Sequence, residues 1–294
     1  MSANDPHEPI HEPALPVFDE EARTIHEAAD RFEHASAQEL LAWALERFHP
    51  KMAISAAGGV DGMAIIDMAW KINPQIRVFT LDTGRLPPET YALFEEIRER
   101  YAIKVEFEFP ERTAVEQMMF VSGPNLMYRS VEDRLSCCEI RKVEPLKRKL
   151  ATLDAWVAGL RRDQWKTRKA IAKVELDRDH GGIVKLNPLA DWSQNEVWDY
   201  VRKNEVPYHE LFDHGYSSIG CIPCTRPVQP GEDERAGRWW WEQDTDKECG
   251  IHCSVQLLGT KTDGEREHER AAIDADALTQ HSPGGGPSEP GGEG

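Results

Sequence analysis

Three short apolar runs, "KMAIS" (51–55), "RVFTLD" (77–82) and "KVEFEF" (104–109), alternate with two stretches of helical periodicity. That alternation constrains the fold more than any other feature of the chain. The first run passes through a glycine turn into the helix-like stretch 62–70. The second leads to "RLPPETYALFEEIRERYAI", where paired prolines suit a helix start and Leu93, Phe94, Ile97 and Tyr101 recur at helical spacing. "DAWVAGL" (154–160) and "GIVKLNPL" (182–189) read as a fourth and a fifth strand. "SQNEVWDYVRKN" opens with a capping box, Ser193 and Glu196, and puts Val197, Tyr200 and Val201 on one face. Strands alternating with helices predict an α/β fold, a mainly parallel sheet with helices on both faces. Ligands of such sheets bind at the carboxyl ends of the strands.

The 294 residues are 40% hydrophobic, enough for one large core or two modest ones, and no run of about 18 apolar residues could span a membrane. The N-terminus, "MSANDPHEPIHEPALPVFDEEA", lacks the basic and apolar regions of a secretory leader. Six cysteines without such a leader predict a reducing compartment, the cytoplasm. Residues 1–20 and 254–294, the latter ending in "SPGGGPSEPGGEG", are expected to be disordered tails around a body at 21–238 and a mobile segment at 239–253. A net charge of −17 disfavours nucleic acid, which needs a basic face. Cations nevertheless gather in "IRKVEPLKRKL" and "LRRDQWKTRKAIAK", which fit either a small anionic ligand or two solvated helix faces.

Four stretches carry chemistry. "SAAGGVDG" (55–62) leaves the first strand for a helix and is either a phosphate-approaching loop or a plain tight turn; it lacks the ending of a P-loop. "LDTGRLPPETY" (81–91) offers a hydroxyl, a glycine and Arg85 at the next strand end, or an ordinary turn. Cys137 and Cys138 are adjacent, which argues against a disulfide between them, and Cys221 and Cys224 form a C-x2-C pair. Four sulfurs suit a tetrahedral zinc or a four-iron, four-sulfur cluster; adjacency is unusual for zinc and acceptable on separate corners of a cubane, so the cluster leads. In "KECGIHC" the cation Lys247 would favour a Cys249 thiolate, and His252 is either its helper or a surface histidine. Cys253 is a bystander or a resolving thiol for Cys249. Trp239, Trp240 and Trp241 are expected to anchor the segment by packing.

"CCEIRKVEPLKRKL", "GLRRDQ", "GYSSIGCIPCTRP", "GRWWWE" and "KECGIH", in this order, closely resemble assimilatory sulfonucleotide reductases over residues 32–252. Carrying both cysteine pairs, the chain resembles the adenosine 5′-phosphosulfate type. The resemblance implies an adenine-nucleotide α-hydrolase-like sheet, a four-iron, four-sulfur cluster on Cys137, Cys138, Cys221 and Cys224, and Lys142 between cluster and substrate. It implies that Arg168, Arg235, Arg238 and Ser55 hold phosphate and sulfate, and that Leu81, Thr83 and Gly159 lie near the nucleotide. Cys249 would be the nucleophile with His252 beside it. Thioredoxin is the expected electron donor, the chain is expected to form a homo-oligomer, and neither nucleic acid nor membrane is expected as a partner. Ala57 and Val60 stand where the family has a second serine and an acid, while Asp61 remains; "DQWKTRKA" is one residue shorter than usual. The alternatives are reduction of the 3′-phosphorylated substrate, RNA thiolation on the same fold, and a zinc-stabilised binding module.

Overall fold

The computed structural model describes residues 17–242, 248 and 250–252. β1 (Met52–Ser55) lies between β2 (Val78–Leu81) and β4 (Ala155–Val157) and pairs in parallel with both. β3 (Glu106–Glu108) extends the sheet beyond β2, and β6 (Ile183–Leu186) extends it beyond β4, both in parallel. The fifth strand expected from the sequence is therefore β6. A further strand, β5 (Val174–Asp177), pairs antiparallel with β6 at the edge and was not foreseen. The order is β3-β2-β1-β4-β6-β5. Strand order reverses between β1 and β4, and crevices form at the carboxyl ends of strands where such a reversal occurs.

The strands alternate between two buried faces, as a two-residue side-chain period requires. Ile54, Val78, Val157 and Leu186 enter one core together with Leu40 and Leu41 of α2 (Ala37–Phe48), Ile65 and Ile66 of α3 (Val60–Ile72), Ile97 of α4 (Pro88–Tyr101) and Val201 of α8 (Gln194–Lys203). Ala53, Phe79 and Trp156 point to the opposite face, where Leu146 and Leu150 of α7 (Glu144–Leu150) cover them and Ile251 packs alongside. Truncating Ile54, 1% exposed, to Ala would cost about 2–5 kcal/mol by opening a cavity at the centre of the sheet. The capping box at α8 forms: the Ser193 hydroxyl accepts from the Glu196 amide, and the Glu196 carboxylate accepts from the Ser193 amide.

The tail boundary drawn after residue 20 falls inside α1 (Val17–Phe32), which buries Ile25, Ala28 and Phe32 at helical spacing. The expected tail residues 1–16 and 254–294 lie outside the described residues. The compact unit also continues past Arg238 to His252, because Trp239 is buried and packs against the cysteine pairs. No helix among the described residues is long and apolar enough to cross a membrane.

After α5 (Arg112–Ser122), α6 (Val131–Cys138) runs through a π-helical turn, Glu139–Val143, into α7. A π turn adds a residue to the helical cycle and so rotates everything that follows it. Here the adjacent cysteines end α6, and Arg141 and Lys142 lie within the π turn itself.

Candidate active site

The loop after β1 requires glycine. Gly58 has φ +83°, and a Cβ there would stand 2.9 Å from Cδ2 of the buried His209. Beyond β4, a Cβ on Gly159 would approach both Asp61 Cβ and the Gly62 amide to 3.1 Å. Glycine thus lets the end of β4 lie against the start of α3, beside Ser55 at the end of β1. Asp61 accepts from Arg161 Nε at 2.5 Å and from Gln164 Nε2 at 3.0 Å. Arg161 is fully buried and also pairs with Asp163 and with Glu234, at 3.1 Å for the latter. Burial, opposed by Arg161 and reinforced by Asp61, pushes the Glu234 carboxyl up to about 7.

A cavity of about 190 Å³ opens at these strand ends. Ser55, Leu81, Thr83, Gly159, Arg168, Arg235, Arg238, Lys142 and His252 all line it. The residues that the family resemblance assigns to catalysis and substrate, apart from Cys249, are therefore brought to one place. Trp239 organises the cations: the guanidinium carbons of Arg134, Arg238 and Arg235 lie 4.6, 4.7 and 5.8 Å from its ring. Arg238 donates from Nη1 to the Ile219 carbonyl at 3.1 Å, while its buried Nε has no hydrogen-bond partner among the described residues. A buried donor without a partner, on a residue that lines a cavity, suits an anionic ligand.

A second, smaller cavity adjoins the first. Cys137, Cys138, Cys221 and Cys224 line it; all four are buried and none is in a disulfide. The first pair ends α6, and the second brackets the single 3₁₀ turn Ile222–Cys224. Lys142 and Trp239 belong to the walls of both cavities. Burial raises the Cys137 thiol and takes Cys224 up to about 11. At Cys221 burial is outweighed by Lys142 and by a hydrogen bond with Thr83, so its thiol is lowered.

Residues 51–227 match the phosphoadenosine phosphosulfate reductase domain. The chain belongs to that family. It is 46% identical over 222 residues to the adenosine 5′-phosphosulfate reductase of Pseudomonas aeruginosa (strain LESB58), covering 74% of this chain and 82% of that protein. It is 47% identical over 194 residues to the Allochromatium vinosum protein of the same name, covering 66% and 75%. Among solved structures, the phosphoadenylyl-sulfate (PAPS) reductase of Candida auris, in a phosphate complex, is 31% identical with a TM-score of 0.58, covering 68% of this chain and 95% of that one. The fold is the open, mainly parallel α/β sheet that the sequence resemblance implies.

The structure gives His252 and Arg168 specific partners within the chain. His252 is no surface histidine: its ring stacks on Trp156 at 5.7 Å and 9°, and its Nδ1 is buried. Burial, reinforced by Lys185, Arg168 and Arg235, holds its pKa well below the usual histidine value. Arg168 donates from Nε and Nη2 to Glu248 at 3.2 and 3.3 Å, and from Nη1 to Gln164 Oε1 at 2.5 Å. Cys249 and Cys253 lie outside the described residues. The sequence reading passed over Arg134, Gln164, Glu234 and Glu248. The one signal available was the placement of Glu248 beside Cys249 in the terminal motif.

Proposed function

We propose that this chain reduces adenosine 5′-phosphosulfate to sulfite and AMP in sulfate assimilation, with Cys249 as nucleophile and thioredoxin as electron donor. The observation that carries the reading is the shared wall: Lys142 and Trp239 face both the cation-rich cavity at the strand ends and the cavity of four thiols. Relatives at 46–47% identity bear the name adenosine 5′-phosphosulfate reductase.

The Cys249 thiolate attacks the sulfate sulfur. A sulfur–sulfur bond forms as the bond from sulfur to the bridging oxygen breaks, and AMP leaves with the electron pair. Lys142, Arg235 and Arg238 offset the charge that builds on the sulfonyl oxygens and on the departing phosphate, where preorganised donors act most strongly. Ser55 and the glycine-permitted approach of β4 to α3 give the nucleotide close access to backbone amides. A thioredoxin thiolate then attacks Cys249 Sγ, sulfite departs, and the second thioredoxin thiol resolves the mixed disulfide.

Four buried thiols around one cavity suit a polynuclear centre. Among the described residues no three His, Cys, Asp or Glu side chains gather closely enough to hold a metal ion. Cys137, Cys138, Cys221 and Cys224 would hold a four-iron, four-sulfur cluster. When bound, the cluster would supply fixed charge beside the anion site.

The test is anaerobic purification, iron and sulfide analysis, and sulfite release with reduced thioredoxin from each sulfonucleotide. Release from the 5′-phosphosulfate, lost in Cys249→Ser while iron is kept, is the expected result. Preferential release from the 3′-phosphorylated substrate would overturn the substrate assignment. Full turnover by Cys249→Ser would overturn the mechanism.

A further inference from the structure

Glu248 is 3% exposed, and an unpaired carboxylate buried that deeply would be strongly destabilising. Its surroundings satisfy it fully. Oε1 accepts from the Thr167 hydroxyl at 3.1 Å and from Arg168 Nε at 3.2 Å. Oε2 accepts from Arg168 Nη2 at 3.3 Å and from Arg235 Nη2 at 3.1 Å. Arg168 and Arg235 outweigh the effect of burial and keep the carboxyl below its usual pKa. The backbone is gripped as well, since Arg134 donates from Nη1 to the Glu248 carbonyl at 2.7 Å. Arg134 also holds the Glu242 carboxylate, from Nε at 2.6 Å and Nη2 at 3.1 Å. One buried guanidinium therefore ties residue 242 to residue 248 and fixes both to α6, one helical turn before Cys137.

We infer that Glu248 is the positioning residue for the nucleophile: clasped by Thr167, Arg168 and Arg235, two of which line the substrate cavity, it anchors the chain from which the next residue in the sequence, Cys249, attacks. Consecutive Cα atoms are about 3.8 Å apart, so fixing Glu248 fixes the base of Cys249. Arg168 and Arg235 both line the cavity, which places the dock at its edge. Arg168 spends Nε and Nη2 on Glu248 and Nη1 on Gln164, which makes it a holder of Glu248. Proximity of this kind raises the rate of attack without changing the affinity for substrate.

The inference rests on Cys249 as nucleophile, and the experiment separates the two ideas. Full-length protein is mixed with adenosine 5′-phosphosulfate without reductant, and formation of the Cys249 sulfonate is followed by intact mass. Affinity for the same substrate is measured in the unreactive Cys249→Ser background. Glu248→Ala should slow sulfonation by about tenfold or more. Affinity should stay within about twofold. Glu248→Gln, which keeps the shape and one acceptor oxygen, should fall between it and the native protein. Thr167→Val should slow the reaction by a few-fold alone and add nothing to Glu248→Ala, because it acts through the same carboxylate. Trypsin cleavage after Lys247 should quicken in Glu248→Ala at unchanged melting temperature, a readout independent of turnover.

Native-rate sulfonation by a folded Glu248→Ala protein would overturn the inference. So would strict additivity with Thr167→Val. Substrate binding tightened about tenfold by Glu248→Ala would instead make Glu248 a competing anion and overturn positioning. If the native protein forms no sulfonate while the proteolysis difference persists, the reaction assignment fails and the docking role stands.

Discussion

Thr83 Oγ1 lies 3.2 Å from Cys221 Sγ. Thr83 follows β2 and lines the substrate cavity, whereas Cys221 lines the cavity of thiols. The residue that follows β2 therefore borders one cavity and touches a sulfur of the other. Any displacement of the loop after β2 is felt at Cys221, and the thiol of Cys221 is lowered in part by this contact.

Thr83→Val keeps the volume of a residue that is 1% exposed but removes the hydroxyl. A hydrogen bond to a charged acceptor contributes about 1.5–3 kcal/mol, so chelator-driven iron release should quicken by about tenfold or more. Thr83→Ser should release iron at close to the native rate. Equal rates for Val and native protein would show that the contact does not serve a Cys221 thiolate.

His252 stacks on Trp156 and has its pKa held well below the usual histidine value, so it is neutral at physiological pH and packs as a ring. Ring pairs contribute about 0.5–1.5 kcal/mol beyond area burial. His252→Phe should therefore keep most of the turnover, and His252→Ala should lose about tenfold. A Phe variant as impaired as the Ala variant would make the imidazole a proton carrier.

The parallel strands were legible because each is a short apolar run ended by a turn. β5, "VELD", was not: it carries Glu175 and Asp177, sits at the edge, and has an irregular burial pattern. Its signal lay in the turn, where Gly181 and Gly182 both take positive φ and reverse the chain into β6. At the site, the cavity-lining residues were legible through the family motifs. The roles of Arg134 and Glu248 were not, because they depend on partners 114 residues apart in the chain. The π turn after Cys138 also leaves no periodic trace in five residues, although Arg141 and Lys142 lie within it.

Lys142 borders both cavities, and its removal should separate chemistry from metal retention. Lys142→Ala should lower kcat by about a hundredfold, the scale of one lost electrostatic donor to a transition state. Iron content should stay at the native value, because no sulfur ligand is removed. Loss below about fivefold, the scale of an exposed charge, would place Lys142 outside the anion site. Parallel loss of iron and activity would make it a structural support of the thiol cavity.

The Glu234 carboxyl, raised to about 7 mainly by burial, also borders the substrate cavity, next to Arg235. Its closest cation, Arg161, is shared with Asp61 and Asp163, so Arg161 cannot neutralise Glu234 alone. Below about pH 7 Glu234 is protonated and the wall beside the anion site carries one negative charge fewer; above it, the charge returns. Affinity for an anionic substrate must then fall as pH rises through 7. By linkage, the bound anion must raise the Glu234 pKa by the same free energy. KM for adenosine 5′-phosphosulfate should rise by a few-fold between about pH 6 and 8, and Glu234→Gln should remove that slope while keeping the low-pH KM. A slope that survives in Glu234→Gln would assign the titration to another group.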